Sequence, residues 1–178
     1  LRAFTTAEQA AIIAKTSTTD HQTQLADLLG NNKAVHFPFG RYNGSAAITV
    51  TDKLHIGGHR HAELRFTDGA YVAIRFTGSS AALSLVENLW IVGTNNSTPA
   101  ITLLKFDSQA AYNVVRHCTL AYAAKLIEMD GVYVTKLLCN SFSNADVCWS
   151  LDDVTFGTAD IYSAGNTYGT SLIGTQAL

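Results

Sequence analysis

The sequence predicts an all-β chain wound as a right-handed parallel β-helix, a single-stranded solenoid closed at its start by a short helical cap. Three observations carry that prediction. The first is a shared rhythm in SLVENLWIV (84–92), NVVRHCTLA (113–121), TKLLCNSFS (135–143) and IYSAGNTYG (161–169). Aligned, they give a first column Val86, Val115, Leu137, Ser163, a second Asn88, His117, Cys139, Gly165 and a third Ile91, Leu120, Phe142, Tyr168. From 88 to 117 is 29 residues, from 117 to 139 is 22 and from 139 to 165 is 26. A strand-rich repeat of roughly 20 to 30 residues without helical periodicity is what stacked coils produce.

The second observation is an independent register between those stretches. ITLLKFD (101–107), AKLIEMD (124–130) and VCWSLDD (147–153) each reach an Asp just after an apolar residue: Phe106-Asp107, Met129-Asp130 and Leu151-Asp152. The steps, 107 to 130 and 130 to 152, are 23 and 22 residues. VAIRFTG (72–78) precedes them with Thr77 in the Asp place. Equivalent residues of stacked coils lie about 4.8 Å apart, so these positions form a ladder.

The third is the contrast of residues 1–33 with the rest, 34–178. TTAEQAAIIAK (5–15) has a Thr cap, Glu8 in the first turn and apolar residues at helical spacing. TTDHQTQLADLLGNN (18–32) repeats the pattern, with Thr19 or Asp20 as cap, Gly30 as stop and Leu25, Leu28 and Leu29 on one face. An open solenoid end exposes unpaired strands and core, so the role expected of this segment is to cover it, recruitment of a partner being the alternative. Strand-like runs follow at 33–38, 46–51, 53–58, 62–67 and 71–77, punctuated by Gly and Asn. The last stretch, 169–178, reads as a partial strand.

Composition narrows the function classes. At 47% apolar and 15% charged, the chain has ample core and a surface of Ser, Thr, Asn and Gly. A formal charge of −2 gives no reason to expect nucleic acid or an anionic membrane, and no apolar run approaches a membrane span. The chain opens on Leu1, as an excised or processed piece would. Cys118, Cys139 and Cys148 are an odd set without zinc spacing, expected as free thiols in the core or at turns.

KAVHFPFGRY (33–42), KLHIGGHRHAELRF (53–66) and VENLWIVG (86–93), preceded by TTDHQTQLADLLGNN, resemble the opening of the pectate-lyase-like β-helices of bacteriophage tailspikes. The resemblance spans roughly 18–168, and Phe37-Pro38-Phe39-Gly40-Arg41-Tyr42 is its most specific part. It implies a homotrimeric virion protein, made in the bacterial cytoplasm and acting outside it. Its partners would be bacterial surface polysaccharide and other virion tail proteins. Many such proteins cleave capsule or O-antigen, some only bind, and active ones usually carry more coils than fit here.

If the ladders hold, strand alternation turns Lys105, Glu128 and Ser150 outward beside Asp107, Asp130 and Asp152. Glycoside hydrolysis needs two carboxyls, about 5 Å apart for retention and about 6.5 to 9.5 Å for inversion. Glu128 with Asp130 or Asp107 is therefore the candidate catalytic pair, inversion fitting better, with crowding expected to raise one carboxyl's pKa. The competing reading is local: Asp at a coil corner accepts backbone amides in an Asx turn. Trp90, Tyr122 and Tyr133 are expected outside, as sugar contacts or as subunit contacts, Lys105 is a further candidate for substrate binding, and Trp149 falls on the inward parity. His55, His59, His61 and Glu63 could in principle make a metal face, but Gly57-Gly58 unsettles their register, and neither metal nor cofactor is expected. Arg41, Arg60, Arg65, Arg75 and Arg116 show no clustered spacing and read as solvated or interchain pairs. The alternatives to a glycan-binding or glycan-degrading spike are an inactive structural stem and a secreted lyase or epimerase. The last would need a basic residue among acids, and Lys105 beside Asp107 and Asp130 is the one such group.

Overall fold

The computed structural model of the chain describes residues 4–95, 99–132, 134–152 and 161–169, with backbone alone at 60, 152 and 161. Two helices, α1 (Thr6–Ile13) and α2 (Gln22–Asn31), precede the strands. The strands are β1 (Ala34–Phe37), β2 (Arg41–Gly44), β3 (Ile48–Val50), β4 (His55–Phe66), β5 (Val72–Thr77), β6 (Leu85–Gly93) and β7 (Thr102–Asp107). They continue as β8 (Asn113–Arg116), β9 (Thr119–Asp130), β10 (Thr135–Leu138), β11 (Ser141–Asp152), β12 (Ile161–Ala164) and β13 (Thr167–Tyr168). All pairings are parallel, and the chain is a β-solenoid of about four turns.

Three faces build each turn. The first stacks β1, the start of β4, the start of β6, β8, β10 and β12. The second stacks β2, the rest of β4, the rest of β6, the start of β9, the start of β11 and β13. The third stacks β3, β5, β7 and the later halves of β9 and β11. The columns read from the sequence are these stacks. Val86, Val115, Leu137 and Ser163 pair in register on the first face. Ile91, Leu120, Phe142 and Tyr168 do so on the second.

The middle column has a conformational cause. Asn88, His117, Cys139 and Gly165 all have positive φ, at 56°, 53°, 53° and 66°. Each is the one left-handed residue that bends the chain from the first face to the second. Asn and Gly tolerate that region best, and His and Cys are held there by the strands on either side. In β4 the same bend falls on His61, φ 70°. There residues 58–61 stand against the single Asn88, so β4 bulges outward at the corner. Just past the bend a side-chain ladder continues the backbone pairing. Asn140 Oδ1 accepts from the Cys118 N–H, and Asn166 Oδ1 from the Asn140 N–H.

Inward residues make one continuous core. On the third face Val50, Phe76, Phe106, Met129 and Leu151 stack, with the Phe76 and Phe106 rings 4.9 Å apart and nearly parallel. Trp149, paired with Ile127, packs on this core as its parity requires. Cys118 and Cys148 are buried, Cys139 is exposed at the corner, and all three are free thiols.

The cap forms as its sequence asks, with one difference. Thr5 and Glu8 close a capping box on α1, and Ile12, Leu25 and Leu29 are fully buried over the first coil. But α2 starts at Gln22 with His21 in the cap position, and it runs through Gly30 to Asn31. Asp20 does accept from the Gln22 N–H, yet it stands outside the helix. His21 instead ties the cap to the first coil. Its Nδ1 accepts from the Asn43 N–H of β2, and its Nε2 meets the Ser17 hydroxyl. No helix among the described residues is long and apolar enough to cross a membrane.

Candidate functional site

The predicted carboxylate ladder exists as a stack. Thr77, Asp107, Asp130 and Asp152 pair in register at the end of the third face, and Arg75, Lys105, Glu128 and Ser150 form the adjoining column. Lys105 sits between the acids, as expected. Its Nζ lies 2.6 Å from Glu128 Oε1 and 3.0 Å from Asp130 Oδ2. Lys125 reaches Glu128 Oε2 at 2.9 Å, and Arg75 Nε binds Asp107 Oδ2 at 2.6 Å. Asp107 itself is buried, and its Oδ1 has no partner among the described residues. The Asp152 backbone continues the ladder, its side chain lying outside what the structure describes.

These lysines reverse the electrostatics expected of crowded acids. Partial burial pushes the Glu128 carboxyl up, but hydrogen bonds and charge from Lys105 and Lys125 outweigh it and hold Glu128 below the usual carboxylate range. Burial likewise pulls the Lys105 ammonium down, while Glu128 and Asp130 prevail and hold it above its ordinary value. A general acid must keep its proton near neutral pH. Glu128 is tuned the other way, and Lys105 is no free base.

A second constellation lies on the second face. Arg41, Glu63, Trp90 and Thr119 form one outward column in register. Trp90 is 37% exposed, with the His61 ring edge-on at 5.1 Å and Lys15 Nζ 5.2 Å from its centroid. His61, Asn88 and His117, the left-handed corner residues, join Trp90 and Thr119 around a groove of about 260 Å³. The backbone bend thus raises polar side chains beside an exposed indole. Tyr122 is half-buried at the far end of this face, also with positive φ, and does not line the groove. Tyr133 lies outside the described residues.

The same column holds a cluster that sequence spacing did not disclose. Glu63 is only 3% exposed and binds Arg41 Nε at 3.1 Å, Arg65 Nε at 2.8 Å and Lys15 Nζ at 3.7 Å. Arg41 and Arg65, unclustered in the sequence, therefore converge on one carboxylate. The signal was the step from 41 to 63, a coil length, but the partner Lys15 comes from the cap. Glu63 is thereby removed from any metal face with His59 and His61. His55 binds Glu87 at 2.8 Å, which also holds Arg116. No group of three or more His, Cys, Asp or Glu placed to hold a metal occurs among the described residues.

The predicted residues therefore divide. Lys105, Glu128, Asp130 and Asp107 come together on the third face, and Trp90 stands apart on the second. Set against known proteins, the chain matches no family, no curated protein and no solved structure.

Proposed function

We propose that this chain is the β-helix segment of a bacteriophage tailspike or tail fibre that binds a bacterial surface polysaccharide through its second face. The observation that carries the reading is the exposed Trp90 indole in a groove with His61, Asn88, His117 and Thr119. Pyranose rings stack their CH faces on indole, and hydroxyls take imidazole, amide and hydroxyl partners, so the mixture suits sugar. The placement in a spike, as a homotrimer among other tail proteins, is supported by the tailspike-like Phe37–Tyr42 motif on a parallel solenoid.

Binding is favoured over cleavage because both Glu128 oxygens are occupied by ammonium groups. The test is calorimetric titration against a panel of purified capsular and O-antigen polysaccharides, with reducing-end and unsaturated-sugar assays in parallel. A glycan that binds should lose at least tenfold in affinity to Trp90→Ala and nothing to Glu128→Gln. Sugar release that disappears in Glu128→Gln would restore the hydrolase reading and sink this one. Light scattering gives the subunit count.

A further inference from the structure

The second face gathers three cations around one buried acid. Lys15, Arg41 and Arg65 converge on the buried Glu63. Two further acids lie nearby: Asp20 accepts from the Gln22 N–H and the Ser45 hydroxyl, and Asp68 accepts from the Ala100 and Ile101 N–H groups and the Asn95 amide. Three cations thus meet three carboxylates, and each carboxylate already has partners within the chain. Arg41 and Arg65 border an open cleft of about 330 Å³ whose wall also includes Asp20, Asn43, Ser45 and Thr94. Arg65 spends its Nε on Glu63, and its two Nη groups have no partner among the described residues. Arg41 gives Nε to Glu63 and Nη1 to the Lys15 carbonyl.

The cleft adjoins the Trp90 groove. Glu63 pairs with Trp90, and Arg65 with Val92 two residues further along the strand, so Arg65 sits on the strand next to the indole's, about 4.8 Å away, and Arg41 one strand beyond. Lys15 spans both, contacting Glu63 and lying over the Trp90 ring. A ligand crossing the coils meets the indole first and the arginines next.

Building on the glycan reading, we infer that this cleft is a subsite for a sugar carboxylate, so that the recognised polysaccharide is acidic. The free Nη edge of Arg65 offers the parallel donors that a carboxylate takes in bidentate fashion. Asn43, Ser45, Thr67 and Thr94 supply groups for the neighbouring hydroxyls. Glu63 fixes the guanidinium planes by binding their Nε sides, which leaves the outer edges ordered for a ligand.

The test follows arginine Nε–H and tryptophan indole N–H signals by NMR in the full chain. Sodium glucuronate and methyl glucoside are titrated separately against sodium chloride at matched ionic strength. Glucuronate should shift Arg41 and Arg65 saturably, and methyl glucoside should shift the Trp90 indole alone. Arg65→Gln should weaken the glucuronate response at least tenfold and spare the methyl glucoside response, with Arg65→Lys between them. Because Arg41 and Lys15 remain on Glu63, the variant's fold can be checked by its unchanged Trp90 signal. A glucuronate response no larger than that of chloride overturns the subsite, whatever Trp90 does. A Trp90 indole silent to both sugars, with the arginine response intact, removes the glycan reading instead.

Discussion

The outer surfaces of the second and third faces carry similar residue types in opposite states. On the third, Glu128 gives one oxygen to each of two lysines, Lys105 bridges to Asp130, and Arg75 closes on Asp107. On the second, Glu63 holds three cations, Arg65 keeps its outer edge free, and Trp90 stands open above a groove. One face has balanced its charges internally, and the other has left donors and an aromatic surface open to a ligand. A count of acids favours the third face as the place for chemistry. The state of those acids favours the second.

The largest effect should follow from Glu63→Gln. It leaves Lys15, Arg41 and Arg65 facing one another around a site where the carboxylate is 3% exposed. Breaking a buried charge cluster from one side costs about 3 to 5 kcal/mol, and the figure applies because the anion is the buried member. Chemical denaturation should show that loss, and limited proteolysis should show early cuts in 5–31 as Lys15 releases the cap. If stability is unchanged, the second face is solvated rather than organised around Glu63.

Lys105→Met on the third face should cost less, about 2 kcal/mol, since its partners remain partly solvated and Glu128 keeps Lys125. It should leave glycan affinity untouched. An affinity loss here comparable to that of Trp90→Ala would erase the distinction between the faces.

These two sites also show what could be read from residues alone. The coil register was legible because stacking turns a sequence step into a vertical neighbour, and Thr77, Asp107, Asp130 and Asp152 needed only counting. The column Asn88, His117, Cys139, Gly165 was visible as a pattern, but those residue types share no chemistry. What they share is a left-handed backbone. The Glu63 cluster was legible only in part: 41 to 63 is a coil step, but Lys15 arrives from a helix segment whose reach no coil step gives. The pKa direction at Glu128 was hidden for a different reason. Crowded carboxylates are countable, whereas the reach of Lys125 across three residues depends on side-chain geometry.

Acid should separate the faces further. His21 is fully buried, and burial holds its imidazole below the ordinary value against the opposing pull of Glu8 and Asp20. Above pH about 6.5 it is neutral in both folded and unfolded chains and contributes no pH dependence. Below that, the unfolded chain takes up the proton first, so folding stability falls with pH through the window down to the folded value. Protonation would also set an Nδ1–H against the Asn43 N–H it now accepts from. The cap over the first coil should therefore loosen at mildly acidic pH. The third face should hold until lower pH, where Glu128, whose folded value is depressed, loses the stability it contributes above its unfolded value. Hydrogen exchange followed residue by residue between pH 7 and 4 should show 5–31 opening before β7 and β9. The reverse order would mean that the lysine network, not His21, is the acid-labile contact.

The smallest effect tests the corner on which the Trp90 groove depends. Non-glycine residues in the left-handed region cost roughly 1 to 2 kcal/mol, part of which glycine returns through its greater unfolded-state freedom. Cys139→Gly, one rung below His117, should therefore stabilise the chain by about 0.5 to 1 kcal/mol. Gly165→Ala should do the opposite, since an added Cβ at φ 66° would lie 3.0 Å from Cys139 Sγ. Neither change touches Lys105 or Glu128, so both should leave the third face's exchange rates unaltered. If Cys139→Gly instead destabilises, the corner is held by its side chains rather than by backbone conformation. The groove's His61, Asn88 and His117 would then be placed by packing between rungs, and their spacing would no longer follow from the bend alone.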